Sequence, residues 1–271
     1  MKRALALLLL FFLSNAAFYI QQINIDFYVK DDGTVTAKER IKVLVEGETD
    51  VARYNAALNK DDLATWAELI GSGDIRVHVN RDVVNVQNLA VRPQPLSHSL
   101  ASDTWRGEII ITYDALEYTS EDGEIVKGTG MFNAVDISPR ITQYELRDNA
   151  LSLRTTTGGD YILESGQKLT FYLPDNAVVM DLNPMPRSLA ISLPARLESV
   201  SWSDSILVGH TFVFKVEKGM DDEIYTFFKD AERRLVYIGK TTEGMALIVM
   251  FGAILLTYVY LQYSKSARKR A

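Results

Sequence analysis

Residues 18–29 alternate apolar and polar positions, with Ile23, Ile25 and Phe27 on one side, and residues 35–45 do so again through Val35, Ile41, Val43 and Val45. A period of two is the mark of a strand with one buried face. Between the runs lies Asp31-Asp32-Gly33, where glycine supplies the positive φ of a tight turn. The pattern predicts an opening β-hairpin. The period then changes. Leu63, Trp66, Ala67 and Ile70 fall at i, i+3, i+4 and i+7, one apolar stripe of a helix that packs into a core. Asn59 is its expected cap, Asp61 and Asp62 sit in its electropositive first turn, and Gly71 closes it. Residues 51–58 are expected to add a preceding helical turn or two.

Strand patterns resume at 75–79 and 83–91, then at 107–116, with Pro93, Pro95 and the serines of 97–102 marking a loop. Asp122-Gly123 is a second turn before a strand at 125–135. Further strands are expected at 144–153, 161–163, 168–173, 178–182, 199–202 and 207–217. Residues 155–160 read as a loop. Pro184, Pro186 and Pro194 mark a loop or edge segment, because proline cannot donate into a central ladder. Strands at spacings of roughly 8–12 residues suggest a sandwich. The expected class is mainly β with minor α: a β-sandwich-like body of one or two domains. A boundary near 118–124 would separate an α+β domain (17–118) from a β-sandwich domain (119–220).

The two ends carry a different pattern. Lys2 and Arg3 precede an apolar run over residues 4–13, followed by Ser14-Asn15-Ala16. That order is a secretory signal, with cleavage expected after Ala16. Residues 245–263 carry no charge, and as a helix they would cover roughly 28 Å, close to the ~30 Å hydrocarbon core. Leu247, Ile248, Val249, Phe251, Ile254, Leu255 and Leu256 are the expected anchoring side chains. Lys265, Arg268, Lys269 and Arg270 follow at once, which predicts a cytoplasmic tail at 264–271 and a body outside. Asp221-Asp222-Glu223 opens an amphipathic juxtamembrane helix over 221–238. Its apolar face of Ile224, Phe227, Phe228, Ala231 and Leu235 is a candidate partner surface.

Composition narrows the chemistry. The formal net charge of −6, with no basic stripe interleaved with aromatics in the body, argues against a nucleic-acid partner. Zero cysteines exclude disulfides, thiol nucleophiles and cysteine-ligated metals. An exported body without disulfides favours a prokaryotic surface protein. Three histidines occur, His78 in an alternating run, His98 in a polar loop and His210 at a turn, and no HExxH or H-x-E pattern accompanies them. They read as ordinary surface or half-buried residues. Neither G-x-S-x-G, a P-loop nor G-x-G-x-x-G occurs. Asp31–Gly33 and Glu121–Gly123 lack the spaced oxygen ligands of a calcium loop. Glycosidases need two positioned carboxylates, and thirty-five acidic residues supply pairs by chance. No catalytic, cofactor-binding or metal-binding residue is assigned, and no cofactor is expected.

The run Ile25-Asp-Phe-Tyr-Val-Lys-Asp-Asp-Gly-Thr-Val-Thr-Ala-Lys-Glu39 resembles the strand–DGT–strand–Glu opening of archaeal and bacterial membrane-anchored surface proteins of unknown function. FYLPDNAVVMDLNPMP, within residues 169–186, is similar to their LP-x-x-A-x-V…P segment, and Ser201-Trp202 to the tryptophan strand that follows. The resemblance implies an extracytoplasmic β-sandwich of archaeal type and transfers no catalytic residue.

The reading is a single-pass membrane protein that displays a non-enzymatic β-rich ectodomain. Its expected partners are the bilayer and another envelope or membrane protein. Two other readings stand beside it: an accessory subunit of a membrane complex for export or surface-glycan assembly, and an anchored hydrolase using carboxylates or His98.

Overall fold

The computed structural model describes residues 18–99 and 104–217, with the single positions Gly219 and Met250. The chain divides into two units, Met1–Glu217 and Lys218–Ala271. Every strand and helix named below belongs to the first. The segments expected to form an export signal (1–16), an amphipathic helix (221–238), a membrane span (245–263, Met250 aside) and a cytoplasmic tail (264–271) lie outside the described residues. Among the described residues, no helix is long and apolar enough to cross a membrane.

The body is mainly β. The opening hairpin forms as the alternation predicts, with β1 (Phe18–Val29) antiparallel to β2 (Val35–Val45). Gly33 turns the chain with φ 79°. A side chain there would also strike the ring of Tyr144, whose hydroxyl donates to the Asp31 carbonyl at 3.0 Å. Two helices follow, α1 (Glu48–Ala57) and α2 (Leu63–Ile70). Asp62, rather than the expected Asn59, caps α2: its carboxylate accepts from the Thr65 N–H at 2.7 Å, and Gly71 closes the helix in the left-handed region. The same hydrogen bond holds the Asp62 carboxyl below its ordinary range. Asp62 is one residue from the first helical turn, which is the position that leaves a side-chain oxygen able to reach back.

Segment 75–79 is not a strand. It crosses the core as irregular chain with one bridge, Val79 to Leu151. Nor do Pro93 and Pro95 make a loop. They lie in β3 (Asn85–Ser99), which pairs only with β4 (Thr104–Leu116) at the sheet edge, where a missing N–H costs no ladder bond. The strand expected at 125–135 begins instead at β5 (Phe132–Ser138), after a turn in which Gly123 donates to Ser120. The run expected at 144–153 is β6 (Ile141–Leu146), and it ends where the chain turns back at Arg147.

The remaining strands are β7 (Arg154–Thr155), β8 (Tyr161–Ile162), β9 (Gln167–Tyr172), β10 (Ala177–Asn183), β11 (Ser199–Ser203), β12 (Ile206–Leu207) and β13 (Thr211–Glu217). Three sheets result: β11-β9-β1-β2-β4-β3, β10-β13-β6-β5 and the small β12-β8-β7. The parallel pairing of β1 with β9, Ile25 opposite Leu169 and Phe27 opposite Phe171, places chain from either side of 118–124 in one sheet. The boundary expected there therefore falls inside one compact unit.

Aromatic rings join the two larger sheets. Phe171 lies 5.1 Å from Phe212 and 6.2 Å from Phe132, while Trp202 lies 6.2 Å from Phe212. Edge-to-face pairs of this kind add to the area they bury. Tyr54 of α1 packs edge-on to Trp66 of α2 at 5.0 Å, and its hydroxyl donates to the Gln94 carbonyl at 3.0 Å. Burial pushes the Tyr54 hydroxyl up to about 12. Gly107 of β4 makes room for this ring, because a Cβ there would sit 2.7 Å from it.

Gly107→Ala should therefore lower stability by about 1–3 kcal/mol through overpacking, read as a lower denaturant midpoint at unchanged slope. The Gly107→Ala/Tyr54→Leu pair should lose less than the sum of its singles.

Candidate functional site

Two places gather polar side chains, one sealed and one open. The sealed one begins at Glu39. Its neighbours on the inward face of β2 are Ala37 and Ile41, so strand alternation carries a carboxylate into the core, where it is 0% exposed. Three donors meet it. His78 Nδ1 stands 2.6 Å from Oε2, the His78 backbone N–H donates to Oε1 at 2.8 Å, and the Tyr113 hydroxyl donates to Oε1 at 2.6 Å. A carboxylate only accepts, so Nδ1 carries the hydrogen. Among the described residues, His78 Nε2 has no hydrogen-bond partner, though it is buried. Burial, then the Glu39 charge, pushes the Tyr113 hydroxyl well above its ordinary range.

This cluster is a clasp. The segment carrying His78 also bonds the chain beyond β6: Ser152 N–H donates to the His78 carbonyl at 2.9 Å and Asn80 N–H to the Ala150 carbonyl at 2.8 Å. Glu39 thus ties the six-stranded sheet to chain that leaves the four-stranded one. Glu39, His78 and Tyr113 are each at most 1% exposed, so no solvent-borne substrate reaches them in this conformation. His78 was expected at the surface or half-buried, because alternation with Ile75, Val77 and Val79 points it outward. The segment is not a strand, and the carboxylate draws the ring inside.

The open place is the outer face of the six-stranded sheet. Gln22, Lys42, Glu108 and Gln94 are register partners in one row across β1, β2, β4 and β3, and Arg106 with Ser97 forms the adjoining pair. A groove of about 610 Å³ lies over them. Further along the same face, Arg40 binds Asp26 at 2.7 Å, and that carboxylate's side chain is only 3% exposed. Tyr28 and Tyr172 stack at 4.7 Å. Asp114 accepts from Asn88 at 2.7 Å and Thr36 at 2.9 Å, which draws its carboxyl below the ordinary range.

The other histidines lie apart. His98 sits in β3 rather than a loop, exposed, with its ring 4.6 Å from Trp105. His210 packs 4.5 Å from Tyr161, and its Nε2 has no hydrogen-bond partner. Burial draws the His210 pKa below 6.5, against the opposing charges of Asp148 and Asp160. Among the described residues, no group of three or more His, Asp or Glu is placed to hold a metal ion. The expected anchoring residues Leu247, Ile248, Val249, Phe251, Ile254, Leu255 and Leu256 lie outside the described residues. So do Lys265, Arg268, Lys269 and Arg270, and the partner face of Ile224, Phe227, Phe228 and Leu235. Sequence reasoning passed over Glu39. Its signal was a charged residue at an inward position of the run 35, 37, 39, 41.

Removing one member of the clasp strands the others. His78→Ala or Glu39→Leu should each cost about 3–5 kcal/mol, whereas Glu39→Leu/His78→Leu/Tyr113→Phe together should cost less than either single change. Chemical denaturation of the four proteins measures this. His210 adds a pH dependence. Because its folded pKa is depressed, the unfolded chain takes up the proton first, and stability falls as pH drops through about 6.5. His210→Gln should flatten that part of the decline in thermal midpoint between pH 7 and 5.

No family model matches the chain, and no curated protein matches it. Among solved structures, an M1 zinc metallopeptidase from Deinococcus radiodurans is similar over 73% of this chain and 42% of that one, at 8% identity and a TM-score of 0.28. The chain spans less than half of that structure's length. A likeness this loose carries no inference about fold or chemistry.

Proposed function

We propose that this protein is a single-pass membrane protein with its body outside the cell, where a sandwich-like β ectodomain recognises a component of the envelope without turning it over. The placement rests on residues 245–263, which carry no charge, and on the lysines and arginines at 265–270 behind them. Apolar side chains of this kind each favour insertion by about 0.3–0.6 kcal/mol at a helix centre, while the basic tail resists translocation.

One observation carries the recognition half. The cluster of Glu39, His78 and Tyr113, whose residue types can do acid–base chemistry, is sealed in the core. The solvent-facing side of the large sheet instead offers an open groove whose cations, Lys42 and Arg106, form no direct ion pair among the described residues. Polar, open and broad, that face suits binding more than catalysis, which needs a reacting group held out of water. The accessory-subunit reading draws on a different feature. At the open edge of the four-stranded sheet, β5 exposes Val135 (48%) and Ile137 (52%).

Because the chain has no cysteine, single introduced cysteines report topology cleanly. In intact cells a membrane-impermeant maleimide should label Glu121→Cys, at the exposed turn after β4, and should label Ser266→Cys only after permeabilisation. The reverse pattern removes the proposal.

A further inference from the structure

Lys42 and Arg106 are exposed cations, and neither side chain has a hydrogen-bond or ion-pair partner among the described residues. That is unusual company on a chain of net charge −6. Their row neighbours add the opposite functionality. The amide NH₂ of Gln22 donates to Asn24 Oδ1 at 3.0 Å, and that of Gln94 to the Arg92 carbonyl at 3.3 Å. Each amide therefore keeps its oxygen free to accept. Glu108, directly opposite both Lys42 and Gln94, is a third acceptor. The groove thus presents two cations without a direct ion pair among the described residues, with the Glu108 carboxylate and two amide oxygens beside them, a local excess of one positive charge.

This combination selects a ligand class. Lys42 and Arg106 call for an anionic group, and charge-assisted bonds to it are the strong ones available here. The carboxylate and the two amide oxygens only accept, so a ligand that satisfies them brings O–H or N–H donors, while each amide keeps one N–H of its own to donate. A polyphosphate chain supplies acceptors alone and leaves Glu108 and the amide oxygens without donors. A neutral glycan leaves both cations unused. We infer that the groove binds the acidic sugar units of a polysaccharide: a carboxylate on Lys42 and Arg106, ring hydroxyls on Glu108, Gln22 and Gln94. Arg40, already committed to Asp26 at 2.7 Å, lies outside this set. Each contact is solvent-exposed and individually weak, so affinity accumulates over repeating units of one polymer. The inference names the ligand of the recognition surface proposed above and rests on that reading.

The test uses the full chain in phosphatidylcholine nanodiscs, which leave both sides of the bilayer accessible. Binding there is independent of cellular orientation, so its failure is separable from a failed topology. Polygalacturonate, dextran and polyphosphate are titrated at low salt. Polygalacturonate should bind, with dextran and polyphosphate weaker by about tenfold or more, one such factor being 1.4 kcal/mol. Lys42→Ala/Arg106→Ala should weaken polygalacturonate by about tenfold or more at an unchanged thermal midpoint, since two charge-assisted contacts are lost. Glu108→Gln, which removes a strong hydroxyl acceptor together with a charge that opposes either anion, should narrow the preference for polygalacturonate over polyphosphate. Lys60→Ala, an exposed cation elsewhere, should change nothing. Polyphosphate binding as tightly as polygalacturonate, a double variant that binds like the wild type, or no polyanion binding at all would each overturn the inference.

Discussion

A carboxylate cut off from water costs several kcal/mol unless donors replace its hydration, and Glu39 imposes that demand on two other stretches of chain. Tyr113 answers from β4, two strand positions along the same inward face. His78 answers twice, with ring and backbone, from irregular chain between α2 and β3. Since the His78 segment also holds Ser152 and Ala150, satisfying one buried group fixes how chain beyond the four-stranded sheet lies on the six-stranded one. The surrounding apolar packing would tolerate several arrangements. The hydrogen-bond geometry of a buried charge tolerates few.

The sheet that carries Glu39 inward displays its polar row outward, and the two faces are set by one register. Lys42 lies three residues beyond Glu39 on β2, so it stands on the opposite face. Any slip that exposed Glu39 would bury Lys42 and Arg40. The clasp therefore guards the groove: by holding β2 and β4 in register, it keeps Gln22, Lys42, Glu108 and Gln94 in one row. β1 extends the same logic. Its antiparallel partner β2 runs along one edge and its parallel partner β9 covers the other over Ile23–Tyr28, and Phe27 and Phe171 meet at 5.1 Å beneath that pairing.

Hairpin residues 18–45 were legible because alternation, a glycine turn and β-branched side chains are local signals that agree. The helix at Leu63–Ile70 was legible for the same reason, though its cap moved from Asn59 to Asp62. Pro93 and Pro95 misled because a proline reads as a breaker wherever the edge of a sheet is unknown. His78 misled because alternation reports a strand only where a partner strand exists.

By itself, then, the amino-acid order determined the β character of the body, the opening hairpin, the apolar face of α2 and the absence of cysteine chemistry, all of which follow from short-range periodicity and composition. Only tertiary structure decided that β1 pairs with β9, that Glu39, His78 and Tyr113 converge, and that Lys42 and Arg106 share a groove with Glu108. Apart from Arg106 and Glu108, which strand alternation already puts on one face, those residues lie tens to well over a hundred positions apart. No local pattern records them, since it is the closing of the sheet and the cost of an unsatisfied buried charge that bring them together.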